Sequence, residues 1–448
     1  MTTLTPHLIE KYGGPVPRYT SYPTAPQFHD GIGADTYAEW LAALDPSMGA
    51  LSLYLHIPYC RKMCTYCGCN TKITRQHAPV AGYVDDLVAE IELVARHLGE
   101  RFPVSNIHFG GGTPNMLTPE EFAGVMAALG DAFDLGPQTD TAVEIDPRLL
   151  TGRMADAMAA AGVTRASLGV QDLNDDVQQV IGRVQPLAVV DNALGLLRRA
   201  GITAINLDLM YGLPLQTVEK VRRSAELAAA LGAHRIALFG YAHVPWMKPH
   251  QRLLDGYPRA DGAGRLAQAE AAADTLAEHG YRRIGLDHFA RREDPLVRAQ
   301  ASGRLMRNFQ GYTTDDAPAL IGFGASAIGT LPQGFVQNLP DVRGHARAVA
   351  AGRLPVARGL ALTADDRRRA AIIERLMCDL KVDLSGFGGA PAFRPELARL
   401  GALAADGLAV LDGPRVTVPE DARPLVRVVA AVFDRYLDPA AGRHSKAV

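Results

Sequence analysis

From residue 50 to residue 290, short runs with β-strand character alternate with segments whose apolar residues recur at helical spacing. Such alternation is typical of repeated βαβ units, which build a parallel sheet with helices on its faces. The predicted strands have these positions: 51–57, 105–112, 141–146, 165–171, 204–212, 235–241 and 282–289. Seven strands with six intervening helical segments predict an α/β fold in the form of a partial parallel barrel. An open doubly wound sheet is the alternative.

Local capping signals place the ends of individual helices. Thr118 and Glu121 have the spacing of a capping box, in which each side chain caps the other residue's backbone N–H. Gly232 follows a helical segment and is a typical stop signal. The segment 408–420 predicts a β-hairpin with Asp412-Gly413 at its turn.

The composition divides the chain into three segments. The first is rich in Pro, Tyr and Gly and predicts an extended arm, and the last is rich in Ala, Arg and Leu and predicts helices followed by the hairpin. The predicted segments are an N-terminal arm (1–49), a barrel with its extension (50–345) and a small, mostly helical C-terminal domain (360–448).

Charge and hydropathy exclude several classes of protein. Lys and Arg together number 46 and Asp and Glu 48, for a net charge of -2, which disfavours a nucleic-acid-binding protein and a polybasic membrane anchor. The first residues lack the pattern of an export signal. The longest uncharged stretch, Ala317 to Pro340, is rich in Gly, Pro, Gln and Asn, so it predicts no membrane span. We expect a cytoplasmic protein, and a monomer because no coiled-coil pattern is present.

Four of the five cysteines lie within ten residues, at positions 60, 64, 67 and 69. So tight a cluster in a large chain indicates metal binding rather than a disulfide framework. Cys60, Cys64 and Cys67 form a C-x3-C-x2-C motif, and three thiolates on a 4Fe–4S cluster would leave one iron open to a further ligand. A zinc site with Cys69 as fourth ligand is the alternative. Cys378 stands alone in a helical segment and is predicted to be a buried structural thiol.

Polar residues cluster where the predicted strands end. The second strand ends in a Gly110-Gly111-Gly112 turn that lets the backbone approach a ligand, although it lacks the G-x-G-x-x-G fingerprint of dinucleotide sites. The other strand ends carry Glu144, Asp146, Gln171, Asp208, Tyr211, Tyr241, His243, Asp287 and His288. Because the carboxyl ends of parallel strands meet at one edge, these residues predict one large shared site.

The cysteine motif, the GGGTP turn and the partial barrel resemble the radical S-adenosylmethionine (SAM) superfamily. Further motifs resemble the oxygen-independent coproporphyrinogen III oxidase family, namely PRYTSYPTAPQF, LHIPYCRKMCTYCGCN, HFGGGTPNML, VEIDPR, LGVQDLN, NLDLMYGLPLQT, DHFAR and NFQGYTT. The resemblance covers nearly the whole chain. It implies a partial (β/α)6 barrel of the radical SAM kind.

The resemblance also implies roles for individual residues. Cys60, Cys64 and Cys67 would bind the 4Fe–4S cluster, and two SAM molecules would lie side by side. The positions that match first-SAM contacts are Tyr54, Gly111, Glu144 and Ile328. Those that match second-SAM contacts are Tyr66, Gly112, Thr113, Gln171, Arg183, Asp208 and Ala242. Cys69 matches the family but has no assigned role, and Gly182 departs from the expected Asn and leaves the placement of Arg183 open.

The implied reaction is oxidative decarboxylation of two propionates of coproporphyrinogen III to vinyl groups, which gives protoporphyrinogen IX. A deoxyadenosyl radical made from SAM would remove a propionate hydrogen, and flavodoxin or ferredoxin would donate electrons. We expect the arm to close over the substrate, with Arg18 as a propionate partner. The other candidate propionate partners are Lys62, Arg291, Arg292 and Arg307. A haem chaperone of the same family is the alternative function.

Overall fold

The computed structural model describes residues 4–437. Residues 1–3 of the predicted arm and residues 438–448 of the predicted C-terminal domain lie outside the described residues. The division of the chain into three segments stays a prediction.

A mixed sheet forms the centre of the described residues, and smaller sheets lie around it. The strands are β1 (Leu51–Ile57), β2 (Tyr59–Cys60), β3 (Lys72–Ile73), β4 (Pro103–Gly111), β5 (Asp134–Ile145), β6 (Arg165–Gln171), β7 (Ala204–Tyr211), β8 (Arg235–Gly240), β9 (Tyr281–Ile284), β10 (His288–Arg291), β11 (Met306–Asn308), β12 (Gly311–Thr313), β13 (Leu320–Phe323), β14 (Ile328–Leu331), β15 (Gly334–Asn338), β16 (Val356–Ala361), β17 (Lys381–Asp383), β18 (Val410–Asp412) and β19 (Arg415–Thr417). The central sheet has the order β16-β15-β14-β13-β1-β4-β5-β6-β7-β8-β10-β9.

Helices connect the strands. They are α1 (Pro6–Tyr12), α2 (Ala34–Ala42), α3 (Ala78–Leu98), α4 (Pro119–Ala132), α5 (Gly152–Ala160), α6 (Asp175–Val180), α7 (Leu187–Arg199), α8 (Val218–Ala230), α9 (Gly262–Glu278), α10 (Pro295–Ala301), α11 (Val342–Ala350), α12 (Ala364–Asp379), α13 (Gly389–Ala392), α14 (Arg394–Ala405) and α15 (Val426–Ala431). No helix within residues 4–437 is long and apolar enough to cross a membrane.

The strands from β13 through β8 run parallel, and β1, β4, β5, β6, β7 and β8 are each followed by helical connections. This arrangement agrees with the predicted partial (β/α)6 barrel. Along the outside, α3 contacts α4, α4 contacts α5, and α5 contacts α7. Leu53 and Leu55 of β1, Leu87 of α3 and Phe122 of α4 are almost fully buried in the apolar layer between sheet and helices. The strand-and-helix alternation of the sequence therefore builds one large core.

The predicted capping signals have the expected effect. The Thr118 side chain accepts the N–H of Glu121, and the Glu121 carboxylate accepts the N–H of Thr118. Helix α8 ends just before Gly232, whose φ of 73° lies in the left-handed region that glycine adopts without steric cost.

The prediction of a seventh parallel strand over 282–289 is wrong. The segment forms part of two antiparallel strands, β9 and β10, because the chain reverses after Gly285, whose φ is 52°. The seventh parallel strand is β13, which pairs with β1 at the opposite side of the barrel. Because β10 runs antiparallel to β8, Asp287 still lies at the site edge, where its carbonyl accepts the N–H of Leu238 at 2.8 Å.

The N-terminal segment is less extended than predicted, since it contains α1 and α2. Tyr37 and Leu41 of α2 pack into the barrel core, and Ile9 of α1 packs with the C-terminal helices.

The predicted hairpin is formed by β18 and β19, but Asp412 pairs with Arg415, so the turn is Gly413-Pro414. Cys378 on α12 is 1% exposed and bonded to no other cysteine, which confirms the predicted buried thiol.

Candidate active site

A cavity of about 380 Å³ lies at the carboxyl ends of the parallel strands. The cysteine loop after β2, the glycine turn after β4 and the ends of β5 to β8 line it. The predicted residues among its walls are Cys60, Cys64, Tyr66, Cys67, Gly111, Gly112, Thr113, Glu144, Gln171, Arg183, Asp208 and Ala242. We call this the cofactor cavity.

The three motif cysteines have different surroundings. Cys60 Sγ lies 3.2 Å from Thr113 Oγ1, and Arg183 Nη1 donates to Cys64 Sγ at 3.7 Å. Burial raises the pKa of the Cys60 thiol to about 11, whereas hydrogen bonding from Cys69 lowers the pKa of Cys67 to about 6. The thiolate is the metal-binding form of cysteine, and the lowered pKa of Cys67 favours that form.

The loop that follows β8 holds the cysteine loop by its backbone. Lys248 Nζ donates to the carbonyl of Cys69 at 2.8 Å, and His250 Nε2 donates to that of Cys67 at 2.9 Å. Gln251 Nε2 donates to the carbonyl of Tyr66 at 2.8 Å. Sequence reasoning missed these contacts, because about 180 residues separate the partners and no local pattern links them.

The glycine turn has room for no side chain. A Cβ on Gly110 would lie 2.8 Å from Glu144 Oε1, and a Cβ on Gly112 would lie 2.8 Å from the carbonyl oxygen of Tyr59. Gly111 has a φ of 111° and donates its N–H to Glu144 Oε2 at 3.2 Å. The turn therefore brings bare backbone to the cavity wall and fixes the Glu144 carboxylate beside it.

Asp208 is the more deeply placed of the two predicted SAM-binding carboxylates. Ser167 Oγ donates to it at 3.0 Å and Asn206 Nδ2 at 2.8 Å. Burial, together with the negative charge of Glu144, raises the pKa of Asp208 to about 6. The protonated and ionised forms of the carboxylate are therefore equally populated near pH 6.

Arg183 is buried at the cavity wall and is fixed by a backbone carbonyl. Its Nη2 donates to the carbonyl of Gly169 at 2.6 Å, and its Nη1 lies 3.7 Å from Asp146 Oδ2. Gly182, the departure from the family pattern, has a φ of 66°, a left-handed conformation that Gly and Asn adopt more readily than other residues. The backbone at position 182 therefore accommodates Gly here as it would the Asn of the family pattern.

Two predicted SAM contacts do not line the cofactor cavity. Tyr54 lies behind the wall, where its hydroxyl is 3.1 Å from His56 Nδ1 and its ring stacks on His108. Ile328, on β14, packs against an apolar cluster that includes Phe28. Their contact with SAM stays a prediction.

A further charged residue at the cavity wall, Arg148, was not among the predicted site residues. Arg148 Nη2 donates to Asp146 Oδ2 at 2.6 Å, and both residues line the cavity. Asp146 was predicted as a strand-end residue of the shared site, and the VEIDPR motif that contains both residues was the signal that could have found Arg148.

Comparison with known proteins gives consistent matches. The model of the radical SAM superfamily matches residues 54–228. The oxygen-independent coproporphyrinogen III oxidase of Bradyrhizobium diazoefficiens is 50% identical over 438 residues, which are 97% of each chain. The chain belongs to the oxygen-independent coproporphyrinogen III oxidase family. The relative of that name from Pseudomonas aeruginosa is 39% identical over 96% of this chain and 95% of its own.

A solved structure extends the likeness to the whole fold. The coproporphyrinogen III oxidase HemN of Escherichia coli, described as a radical SAM enzyme, is 35% identical with a TM-score of 0.90, and the match covers 98% of this chain and 100% of that one. The predicted radical SAM fold class is therefore confirmed. This member of the coproporphyrinogen III oxidase family is an oxidoreductase, and its cofactors are a 4Fe–4S cluster and SAM, with two SAM molecules.

The residues of the cofactor cavity fit these groups. Within residues 4–437, no three His, Cys, Asp or Glu side chains converge closely enough to hold a single ion. In a cubane cluster each thiolate binds a different iron, so the three cysteines need only surround a shared space, as they do. SAM carries a positive sulfonium and an ammonium group, which suit the carboxylates of Glu144 and Asp208. The family's cofactor replaces the zinc alternative.

A second cavity of about 420 Å³ adjoins the first in this coproporphyrinogen III oxidase homologue. The two cavities share Arg18, Gly240, Tyr241 and Ala242 at their border. The arginines that line the second cavity are Arg18, Arg259, Arg265, Arg283 and Arg427. We call it the arginine cavity.

The predicted propionate partners have different positions. Arg18 lines both cavities and Lys62 lines only the cofactor cavity. Arg291 and Arg292 line neither, and Arg307 instead donates to the backbone carbonyls of Arg18 and Tyr19. Arg307 therefore holds the arm in the place where Arg18 reaches the site.

Proposed function

We propose that this chain converts coproporphyrinogen III into protoporphyrinogen IX by oxidative decarboxylation of two propionate side chains. Each propionate loses one hydrogen atom, one CO2 and one electron, and a vinyl group remains. When bound, the cluster and SAM supply a carbon-centred radical able to remove a hydrogen atom from an unactivated carbon. The motif thiols and the carboxylates of Glu144 and Asp208 in one cavity, beside a cavity lined by arginines, support this reaction.

The predicted residues have separable tasks in this proposal. Cys60, Cys64 and Cys67 would hold the cluster. Glu144 and Asp208 would bind the ammonium group or ribose hydroxyls of SAM. Contacts to the two SAM molecules also come from the remaining predicted positions, which are Tyr54, Tyr66, Gly111, Gly112, Thr113, Gln171, Arg183, Ala242 and Ile328.

We also propose that the N-terminal arm shields the reaction from water. Arg18 donates from the arm to the carbonyl of Gly240 at 2.6 Å, so the arm spans the border of the two cavities. Deleting residues 1–25 would also remove Ile9, Tyr19 and Tyr22 from the C-terminal apolar cluster. Arg18→Gln is the sharper variant: we expect decarboxylation to fall while cluster assembly, measured by iron content, is retained. Full decarboxylation by this variant would contradict a role of Arg18 in the closure.

The finer aspects of the protein's setting are proposals too. We expect a cytoplasmic monomer that receives electrons from flavodoxin or ferredoxin. Size-exclusion chromatography with light scattering measures the oligomeric state. Anaerobic turnover with each reduced donor in turn identifies the donor, and a dimer, or no turnover with either protein, would contradict these expectations.

The experiment that tests the reaction is anaerobic turnover by cluster-loaded protein with SAM, a reductant and coproporphyrinogen III. We expect the product mass to show loss of two CO2, with methionine and 5′-deoxyadenosine formed. Intact substrate despite a complete cluster would contradict the proposal. The relatives named above carry oxidase names, which does not favour the haem-chaperone alternative. A tight stoichiometric complex in a haem titration would support that alternative.

A further inference from the structure

The arginine cavity collects positive side chains from distant parts of the chain. Arg18 comes from the arm, Arg265 from α9, Arg283 from β9 and Arg427 from α15. Apolar side chains, among them Leu238 and Phe289, form other parts of the wall. Asp287 provides the one carboxylate among the described lining residues, and its Oδ1 lies 2.8 Å from His288 Nδ1. The cavity thus has a large excess of positive charge beside apolar surface.

The arginines differ in how far the protein already neutralises them. Arg283 Nη1 pairs with Glu270 at 3.2 Å, and Arg259 Nη2 lies 3.8 Å from Asp255. Arg265 forms no ion pair with any described residue, and its buried Nε has no hydrogen-bond partner there. Its guanidinium lies over the ring of Tyr211, 5.5 Å from the ring centre. Arg265 is therefore a lining cation that the described residues leave without an anionic partner.

Repulsion between the positive charges of the lining arginines also favours a bound anion. Burial, and then the charges of Arg18 and Arg307, lower the pKa of Arg427 to about 10. Burial and the charges of Arg18 and Arg259 lower the pKa of Arg265. A bound anion would relieve both the burial cost and the repulsion, so the cavity favours an anionic ligand.

We propose that the arginine cavity binds the carboxylate side chains of the substrate, with Arg265 as a principal binding residue. Arg18, at the border, holds the propionate that enters the cofactor cavity. A carboxylate accepts two parallel hydrogen bonds from a guanidinium, which fixes its orientation as well as its position. The inference rests on the proposed function, because it takes a tetrapyrrole with four carboxylates as the substrate.

The test compares Arg265→Gln and Arg265→Lys with wild type and with a matched control. The control is Arg282→Gln, which also removes one positive charge. Arg282 precedes Arg283 on β9, but its side chain is exposed and lies outside the cavity. KM and kcat are measured for coproporphyrinogen III with cluster-loaded protein. We expect KM to rise about tenfold in Arg265→Gln, as the loss of one charge-assisted hydrogen bond predicts, and less in Arg265→Lys. Arg282→Gln should match wild type.

The experiment separates three outcomes: a variant that does not fold, a wild-type protein without the proposed activity, and an arginine cavity that does not bind the substrate. Cluster absorbance and thermal unfolding report whether a variant folds, and Arg18→Gln provides a second substitution in the same cavity. If wild type converts the substrate and both cavity variants keep their KM within about twofold, the inference is overturned while the function stands. If wild type converts nothing, the proposed function fails. Fluorescence titration with coproporphyrin III then tests the cavity alone, and equal affinities of wild type and Arg265→Gln would overturn the inference.

Discussion

The two cavities that meet at the carboxyl end of β8 are similar in size but differ in their balance of charge. The cofactor cavity combines thiols and three carboxylates with four cationic side chains, namely Glu144, Asp146 and Asp208 with Arg18, Lys62, Arg148 and Arg183. The arginine cavity has five guanidinium groups and the carboxylate of Asp287. The carboxylates of the first cavity suit the positive groups of SAM, and the arginine excess of the second suits the four carboxylates of coproporphyrinogen. A chain with a net charge of only -2 therefore still provides a local excess of positive charge in the arginine cavity.

The border itself explains how two unlike sites can share one reaction. Gly240 and Ala242 line both cavities, and Arg18 reaches the border from the arm. A propionate anchored on the arginine side can extend past small residues into the cofactor side. This division of tasks predicts that substitutions on one side affect one ligand and spare the other.

The largest effect is expected for the cluster ligands. Cys64→Ala should abolish cluster assembly, because a cubane held by two remaining motif thiolates has two open irons. Cluster assembly is measured by the iron and sulfide content of the protein after reconstitution. Cys378→Ala is the control, and we expect it to keep the cluster and lose about 1 kcal/mol of stability from the vacated core position. Full iron content in Cys64→Ala would contradict the assigned ligand set.

A smaller effect is expected for the cavity carboxylates. Glu144→Gln should weaken SAM binding by about tenfold to hundredfold, since the ion-dipole contact that replaces an ion pair is weaker. Equilibrium dialysis under anaerobic conditions measures the Kd. The control is Glu120→Gln, an exposed carboxylate on α4. Equal weakening of SAM and of coproporphyrin III by Glu144→Gln would break the division of tasks between the cavities.

Asp208 should make SAM binding depend on pH. With a pKa raised to about 6, it is neutral below that pH and cannot pair with a positive group, so SAM affinity should rise as the pH increases through about 6. The folded state holds this proton more tightly than the unfolded chain, so the Asp208 contribution to unfolding free energy falls as the pH rises from about 4 to about 6. Asp208→Asn should remove both dependences. A SAM binding profile that stays unchanged in this variant would contradict the assignment.

The smallest effect is expected for the paired arginine. Arg283→Gln should raise the KM for coproporphyrinogen about twofold to threefold, less than Arg265→Gln, because Glu270 already neutralises Arg283. The comparison uses the same turnover measurement for both variants. The reverse order of the two effects would mean that pairing within the protein does not decide which arginine binds the substrate.

The sequence predicts the cofactor side well and the arginine side poorly, for a physical reason. Cysteine ligands on one loop, glycines at one turn and carboxylates at strand ends are local patterns, and the parallel sheet brings them together. Arg265 and Arg427 have no local pattern, because an isolated arginine in a helical segment is indistinguishable from a surface charge. Arg18 alone was predicted among the five, since it lies in a motif of the arm.

The error over β9 and β10 has a similar origin. The run 282–289 has continuous β-strand character, and one glycine within it, Gly285, is not enough to predict that the chain reverses direction there. Parallel pairing of β13 with β1 joins residues more than 260 apart. Such pairing depends on tertiary packing, which no periodicity in a short window reveals.

The most direct test of two separate cavities is simultaneous binding. Cluster-loaded protein is titrated with coproporphyrin III, with and without saturating SAM, and the fluorescence gives the Kd of the porphyrin. Two adjoining but separate cavities predict a Kd that is unchanged or lower in the presence of SAM. A Kd that rises in proportion to the SAM concentration would place both ligands in one cavity and contradict the account.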